Sequence, residues 1–411
     1  MHFFIFIWFV NMNAQSIVLM NAFIIDGKGN SIQPNMAIVI QGSSIVNICK
    51  MSDLIASKNY TQIDLKGKYV IPGLIEGHAH LQNFPDKQLK YALDCGITSI
   101  RSMADDASYI QLLEEDKNDG KNVYPDIYYS AAMAGVKFFQ LDPRPVRITP
   151  SNYILGEAPW MRLINDKSNF SKIVQDARDC GVTGIKLYAY LTPIQVKNIT
   201  EEAHRKNLKV WSHPYLNYSN ISTIASSGVD LITHATMIVN GKGGSDVHSI
   251  DYNFISKGEL DSVITILRKN DIAVELTFDM IFHSMAKGIS DSLFQRLKDV
   301  HIEVAKKFWK AGLKIIAGTD MPLPQKEDEK PALFIELQYF VNSIGMTPIE
   351  AISCATYLSA KVLGLENTFG SIEIGKKANI VILDKNPGMD IKNLNYVYLV
   401  IKNGQIIKKN K

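Results

Sequence analysis

The chain has only four cysteines, at positions 49, 95, 180 and 354, and no two of them form a C-x-x-C pair. A disulfide framework is neither required nor excluded, and each cysteine reads best as a small buried apolar residue. Strong charge of one sign is also missing: the net charge is +3 over 411 residues. The densest basic run is the tail Lys408-Lys409-Asn410-Lys411, which reads as a solvated terminus, so nothing supports nucleic acid as a partner. No low-complexity linker divides the chain. With 46% apolar and 21% charged residues, the composition is that of an ordinary globular protein, large enough for a large barrel with an appendage or for more than one domain.

Long apolar runs are scarce as well. Phe3 to Val10 (FFIFIWFV) is an unbroken run of eight, far short of the roughly 20 residues that cross a bilayer as a helix. It suits the core of a signal peptide cut after Ala14, which implies export to the periplasm or outside the cell. The charge-poor segment before it and Met12 near the cleavage point argue against this, and the alternative is an extra buried strand. No cysteine follows the run, so a lipid-anchored form is not indicated.

What the chain does have is a repeated phrase. Ala92 to Arg101 reads ALDCGITSIR and Ala177 to Lys186 reads ARDCGVTGIK. Each is the end of a helix, a glycine suited to a left-handed C-cap, and a short β-branched strand ending on a cation. Looser versions are NLKVWSH (207–213), SGVDLITH (227–234), NDIAVELTF (270–278) and AGLKIIAGTD (311–320). With KYVIPGLIEGHAH (68–80) and PDIYYSAAM (125–133) there are eight strand candidates. Helical periodicity fills most of the gaps, as in 192–206, 220–226, 258–269 and 290–310. Strand alternating with helix eight times predicts an α/β fold, a TIM (β/α)8 barrel.

Both ends of the chain differ from the middle. Residues 16–69 and 370–411 carry short strands with turn signals at Asp26-Gly27, Gln41-Gly42-Ser43, Asn386-Pro387-Gly388 and Asn403-Gly404. Neither end can bury a core alone, so the two together predict a small β-sandwich domain beside the barrel. The expected division is a signal peptide over 1–14, sandwich over 15–72, barrel over 73–365 and sandwich again over 366–411.

In a TIM barrel the chemistry sits at the C-terminal strand ends. His78 and His80 follow strand 1, Lys186 ends strand 4, His213 strand 5, His234 strand 6 and Asp320 strand 8. Period-2 alternation turns Lys186 toward the barrel interior, where an unpaired ammonium is costly. It can be a Schiff-base amine, pair with a carboxylate, or be carboxylated by carbon dioxide into an anionic bridging ligand. Four histidines and an aspartate in the same mouth favour the third, because imidazoles and oxygen anions suit zinc-like ions. These donors suffice for two divalent ions bridged by the carbamate and a hydroxide, with Asp320 as general acid/base.

These motifs carry a resemblance. PGLIEGHAH (72–80), the lysine of IKLY (185–188), EEAHRKNLKVWSH (201–213), GVDLITHAT (228–236), AGTD (317–320) and GSIEIGKKANIVILDKNP (370–387) are similar, in content and order, to the amidohydrolase superfamily, within it the imidazolonepropionase-like and prolidase-like members. The resemblance implies hydrolysis of a C–N bond. It implies His78 and His80 on one ion, carboxylated Lys186 as bridge, His213 and His234 on the other, and Asp320 as ligand and proton shuttle. Its one departure is Ala235-Thr236 after His234, where a glycine commonly follows. The lysine points to the binuclear type.

Further substrate contacts are expected from Arg101, which takes in strand 2 the place of Lys186 in strand 4, with an internal ion pair to Asp105 or Asp106 as its alternative. Tyr188, two beyond Lys186, is expected to line the pocket. His283 after strand 7, and Arg144 and Arg147 after strand 3, are weaker candidates, and His204 reads as structural. The expected partner is a small-molecule substrate, with no stable membrane span and with a homo-oligomer left open. A lactonase or ester hydrolase on the same site, a Schiff-base lyase using Lys186, and a non-catalytic binding protein are the alternatives.

Overall fold

The computed structural model describes residues 16–409, apart from 56–58, 82–85, 119–122, 241–249, 252, 256–257, 286–287 and 328. The apolar run Phe3 to Val10 lies outside the described residues. Among those described, no helix is long and apolar enough to cross a membrane.

Eight parallel strands form the barrel: Leu74–Ala79, Ile97–Ser102, Asp126–Gly135, Gly184–Leu187, Lys209–Ser212, Leu231–Ile232, Ala273–Glu275 and Ile315–Ile316. They are barrel strands 1 to 8 below. The seam between strands 8 and 1 is bridged by Gly77 N–H donating to the Ala317 carbonyl at 3.1 Å. The backbones run so close here that a Cβ on Gly77 would sit 2.2 Å from that carbonyl oxygen. Only glycine fits.

The outer helices begin where their caps direct them. Thr192 and Gln195 form a capping box, with Pro193 as the first residue of helix Pro193–Arg205. Ser290 caps the long helix Asp291–Lys310, whose buried face includes Leu297, Val304, Ala305 and Phe308.

A separate eight-stranded sheet is built from both ends of the chain. Strands Ser16–Ile24, Gln33–Gln41, Ser44–Lys50, Thr61–Asp64 and Tyr69–Pro72 come from the N-terminal part, and Ile380–Leu383, Val397–Lys402 and Gln405–Lys409 from the C-terminal part. The two parts join where Tyr69–Pro72 pairs antiparallel with Ile380–Leu383. Asn403 and Gly404, with φ of 48° and 76°, turn the last hairpin as the Asn-Gly signal predicts. The sheet encloses its own apolar core, including Ile17, Leu19, Ile38, Ile380 and Leu399. It is tied to the barrel by Lys402, which donates at 2.5 Å to Asp126 at the start of barrel strand 3.

The barrel interior has an apolar floor of Ile75, Trp211, Leu231, Ala273 and Ile316, closed by Phe369 from the segment leading back to the terminal sheet. Phe369 is 2% exposed and stacks on Tyr128 with centroids 5.5 Å apart. Phe369→Ala is expected to lower stability by about 3–5 kcal/mol, as for other large-to-small changes in closed cores. Denaturant unfolding of the two proteins at matched pH measures it.

Candidate metal centre

At the C-terminal ends of barrel strands 6, 7 and 8 the backbone turns left-handed on non-glycine residues: φ is 52° at His234, 51° at Thr277 and 53° at Asp320. Such φ values are uncommon outside glycine and gather at functional sites. They aim these side chains over the mouth. Asp320 N–H also donates to the His78 carbonyl at 2.8 Å, pinning strand end 8 to strand end 1.

Four imidazoles and a carboxylate meet there. The ring centroids of His78 and His80 lie 5.5 Å apart, those of His78 and His234 5.0 Å, and those of His213 and His234 5.2 Å. Asp320 Oδ1 is 3.3 Å from His80 Nε2 and 3.8 Å from His78 Nε2, while its Oδ2 is 3.7 Å from His234 Nε2. One donor atom each from His78, His234 and Asp320 fall within 4.8 Å of one another.

The hydrogen bonds decide which ring nitrogen carries the proton. His78 Nδ1–H donates to Glu275 Oε2 at 2.7 Å, and His213 Nδ1–H donates to the Leu187 carbonyl at 3.3 Å. Thr277 spends its hydroxyl proton on the Leu276 carbonyl at 2.8 Å, so its oxygen accepts from His234 Nδ1–H at 2.7 Å. On all three rings Nε2 is left with a bare lone pair. Burial, the largest influence on each, holds all three below the ordinary histidine pKa and therefore neutral. Neutral imidazoles oriented through their outer nitrogen are what a divalent ion requires of its ligands.

Lys186 completes the ring of donors. Its side chain is 0% exposed, and Nζ donates to Thr233 Oγ1. Among the described residues no carboxylate lies within ion-pair distance of it. Burial pushes its pKa down to about 7, with Arg101 and Arg144 adding to the shift against the pull of Glu275 and Asp320. A substantial neutral fraction is thus available near pH 7.

Burial alone would raise the pKa of Asp320, but His78, His80 and His234 outweigh it and hold the carboxyl far below the usual range. Burial likewise opposes a charged His80, yet Asp320 and Asp105 raise its pKa.

Two buried carboxylates under the site were not singled out in the sequence. Glu76 accepts from the backbone of His78 and Thr319, each at 2.9 Å. Burial raises its pKa to about 8 against these hydrogen bonds. Glu275, which orients His78, stays below the usual glutamate pKa because Arg101 and His78 outweigh its burial. Gly318 makes room for it, since a Cβ there would lie 2.2 Å from Glu275 Oε1. The signal was present in GLIEGHAH and DIAVELTF: a lone glutamate inside an apolar strand is costly unless held.

Glu275 also corrects the expectation for Arg101. The guanidinium is 1% exposed, 2.7 Å from Glu275 Oε1, donates at 2.5 Å to the Gly77 carbonyl and lies 4.7 Å from the Trp211 ring. It reaches across the barrel beneath the histidines and is spent on a buried carboxylate, out of a substrate's reach. Its partner is neither Asp105, which accepts from Leu81 N–H at 2.7 Å, nor Asp106, which accepts from Ser108.

Above the histidines the mouth opens into two chambers that share Phe138, Arg144 and Tyr188. One, about 270 Å³, is lined by His80 and Asp320 and by Ala104, Ala132, Ile148 and Met161. The other, about 360 Å³, is lined by His213, Tyr190, Tyr215 and Met237. Tyr188 is buried between them, stacked on Phe138 at 5.2 Å and tilted against His213 at 5.1 Å. Phe138, Arg144, Arg147 and Met161 all come from the excursion after barrel strand 3, which contains helices Val136–Leu141 and Arg144–Ile148 and strand Met161–Ile164. His283 is exposed on helix Phe278–Met285 and is not among the residues lining these two chambers. His204 pairs with Asp230 at 2.9 Å, and that pair lines a separate cavity with Lys209, Asp271 and Lys314, residues at the N-terminal ends of barrel strands.

The model of the amidohydrolase family matches residues 158–407. The chain is 24% identical to ochratoxinase of Aspergillus niger over 92% of this chain and 83% of that protein. It is 23% identical to imidazolonepropionase of Fusobacterium nucleatum over 84% of each. Among solved structures, a putative prolidase from Bifidobacterium longum superposes with a TM-score of 0.72 at 25% identity, over 96% of this chain and 94% of that one.

Proposed function

This chain belongs to the amidohydrolase family and is a hydrolase of carbon–nitrogen bonds, and from that premise we propose that it cleaves a small amide or peptide-like substrate at the barrel mouth through a binuclear metal site. In this reading His78 and His80 would hold one divalent ion and His213 and His234 the other, carboxylated Lys186 would supply a further oxygen donor, and Asp320 would be ligand and proton carrier. The observation that supports it most is the pair of Nε2 lone pairs of His78 and His234 beside Asp320, with the His213 ring stacked on His234 and a buried lysine of lowered pKa in the same barrel mouth. The donors are nitrogen and oxygen only, which suits zinc. Ions held there would polarise the scissile carbonyl and make a water acidic enough to lose its proton near neutrality.

The chain's own residues do the rest. Asp320, kept ionised by the surrounding imidazoles, accepts a proton as the water's oxygen bonds to the carbonyl carbon. It returns that proton to the nitrogen as the C–N bond breaks, leaving an amine and a carboxylate. Glu275 and Thr277 keep His78 and His234 in the tautomer that presents Nε2. Tyr188 and Phe138 wall the reacting centre and exclude water.

Elemental analysis of the purified protein alongside hydrolysis of dipeptides, N-acyl amino acids, cyclic amides and lactones tests the reading. About two ions per chain and amide cleavage are expected. Turnover of lactones alone would assign the site to ester chemistry instead. Reductive trapping of Lys186 by borohydride with a keto substrate would assign it to a Schiff-base lyase.

Glu275→Gln gives a second check. The glutamine removes the negative charge that faces both His78 and Arg101, and ion affinity is expected to fall about 10- to 100-fold, as for other groups that orient a ligand histidine. Competition with a chelator measures it. Unchanged affinity would remove Glu275 from the site's support.

A further inference from the structure

We propose that Glu336 is a positioning residue for His234: it caps helix Phe278–Met285 in place of Thr277, and so frees the Thr277 hydroxyl to hold the imidazole in its Nδ1–H tautomer. The use of that tautomer rests on the reading of His234 as a metal ligand; the tautomer itself does not. Thr277 is the residue before the helix, and its carbonyl accepts the first intrahelical bond, from Ile281 N–H at 3.1 Å. A threonine in that place ordinarily has extended backbone and turns its own hydroxyl oxygen onto an N–H of the first turn. Here φ is 51°, and Oγ1 is engaged twice, donating to the Leu276 carbonyl at 2.8 Å and accepting from His234 Nδ1–H at 2.7 Å. The hydroxyl that the helix would use is spent on the histidine.

The N–H groups at the helix start are served from a distant part of the chain instead. Glu336, on helix Ala332–Tyr339, accepts from Phe278 N–H with Oε1 and from Asp279 N–H with Oε2, each at 3.0 Å, across 58 and 57 residues of sequence. N–H groups in a first turn have no carbonyl within their own helix, and a buried donor left bare is costly. Phe278 and Glu336 are both 0% exposed, so water does not stand in for the carboxylate. Burial pushes the Glu336 carboxyl well above the ordinary glutamate pKa, while the two N–H groups pull the other way. A carboxyl at this depth is expensive unless its two oxygens are needed. Take them away, and the oxygen next in line to cap the helix is that of Thr277. Each time it turns to the helix, His234 loses the acceptor that fixes its proton on Nδ1.

The test reads the tautomer on the metal-free full chain, by nitrogen–proton NMR of isotope-labelled histidine, with the His234 signals assigned by their loss in His234→Gln. Wild type should show Nδ1 protonated and Nε2 bare. Glu336→Gln keeps one acceptor oxygen and sets an amide N–H against the other backbone N–H, and in it His234 should become a mixture of both tautomers. Zinc affinity, measured by competition with a chelator, is expected to fall about 10- to 100-fold in Thr277→Val and about 10-fold in Glu336→Gln, the range for groups that orient a ligand histidine. Because Glu336 acts through Thr277, the double variant should match Thr277→Val within about twofold instead of adding the two losses. Glu336→Asp, which keeps both oxygens, should retain more of the tautomer and of the affinity than the glutamine variant. An unchanged His234 tautomer in Glu336→Gln, or additive losses in the double variant, overturns the proposal. So does failure of both Glu336 variants to fold, which makes the residue a structural one. A wild type that binds no zinc overturns the metal reading alone, because the tautomer is read without metal.

Discussion

Lys186→Ala is expected to take the ion content from about two per chain to one or fewer and to reduce kcat/KM by about 10³-fold, the scale of losing one preorganised electrostatic partner of a transition state. The change removes a fully buried side chain that reaches Thr233 in the same barrel mouth and can become an anion there. Alanine also leaves space of the size and polarity of a small carboxylate, next to Thr233. Formate or acetate should therefore restore part of the ion content and activity, whereas a Schiff-base role admits no such rescue. The pH dependence follows from the amine. Carbon dioxide reacts with neutral Nζ, and burial lowers the Lys186 pKa to about 7. Metal reconstitution of stripped protein should then be slow below pH 7 and speed up above it, and faster still with added bicarbonate. An alanine variant that keeps two ions and full activity would sink the bridging role.

Asp320→Asn should separate binding from chemistry. Asparagine keeps the shape but cannot carry a proton, so kcat at saturating metal is expected to fall 10²- to 10⁴-fold, the usual range for a lost general acid/base, with KM changing far less. In wild type the imidazoles hold Asp320 well below the ordinary carboxyl pKa, against its burial. It stays ionised above about pH 4. Any acidic limb of the rate profile between pH 5 and 7 should therefore originate elsewhere in the site and persist in the asparagine variant. A limb in that window that disappears in Asp320→Asn would contradict the assignment of the proton carrier.

Much of this site can be read along the chain because a barrel turns sequence position into place. Whatever follows a strand is at the mouth, so His78, His80, His213, His234 and Asp320 are brought together by their ordinal positions alone. Period-2 alternation adds the inward turn of Lys186. What lies inside the barrel is less legible, since the stagger between strands decides which interior side chains meet. Arg101 shows this. Its position in strand 2 matches that of Lys186 in strand 4, yet it passes under the histidines to Glu275, a partner 174 residues away that no local pattern announces. The excursion from Val136 to Ile164 is harder again. Its two short helices and two short strands carry no strong periodicity, and the chambers they wall off exist only once the segment is folded over Tyr188.

The left-handed turns at His234, Thr277 and Asp320 have a further meaning for the molecule as a material. Each such backbone conformation on a residue with a Cβ costs of order 1–3 kcal/mol. Three in adjacent strand ends make the rim a region where the chain is held away from its local preference by the rest of the barrel. Glycine or asparagine would relax these positions and harden the fold, and would in the same stroke withdraw the imidazole, the hydroxyl that steers it and the carboxylate. Rigidity and chemistry therefore compete for the same three backbone positions, and this rim is the place where selection for heat resistance alone would be expected to erase the enzyme first.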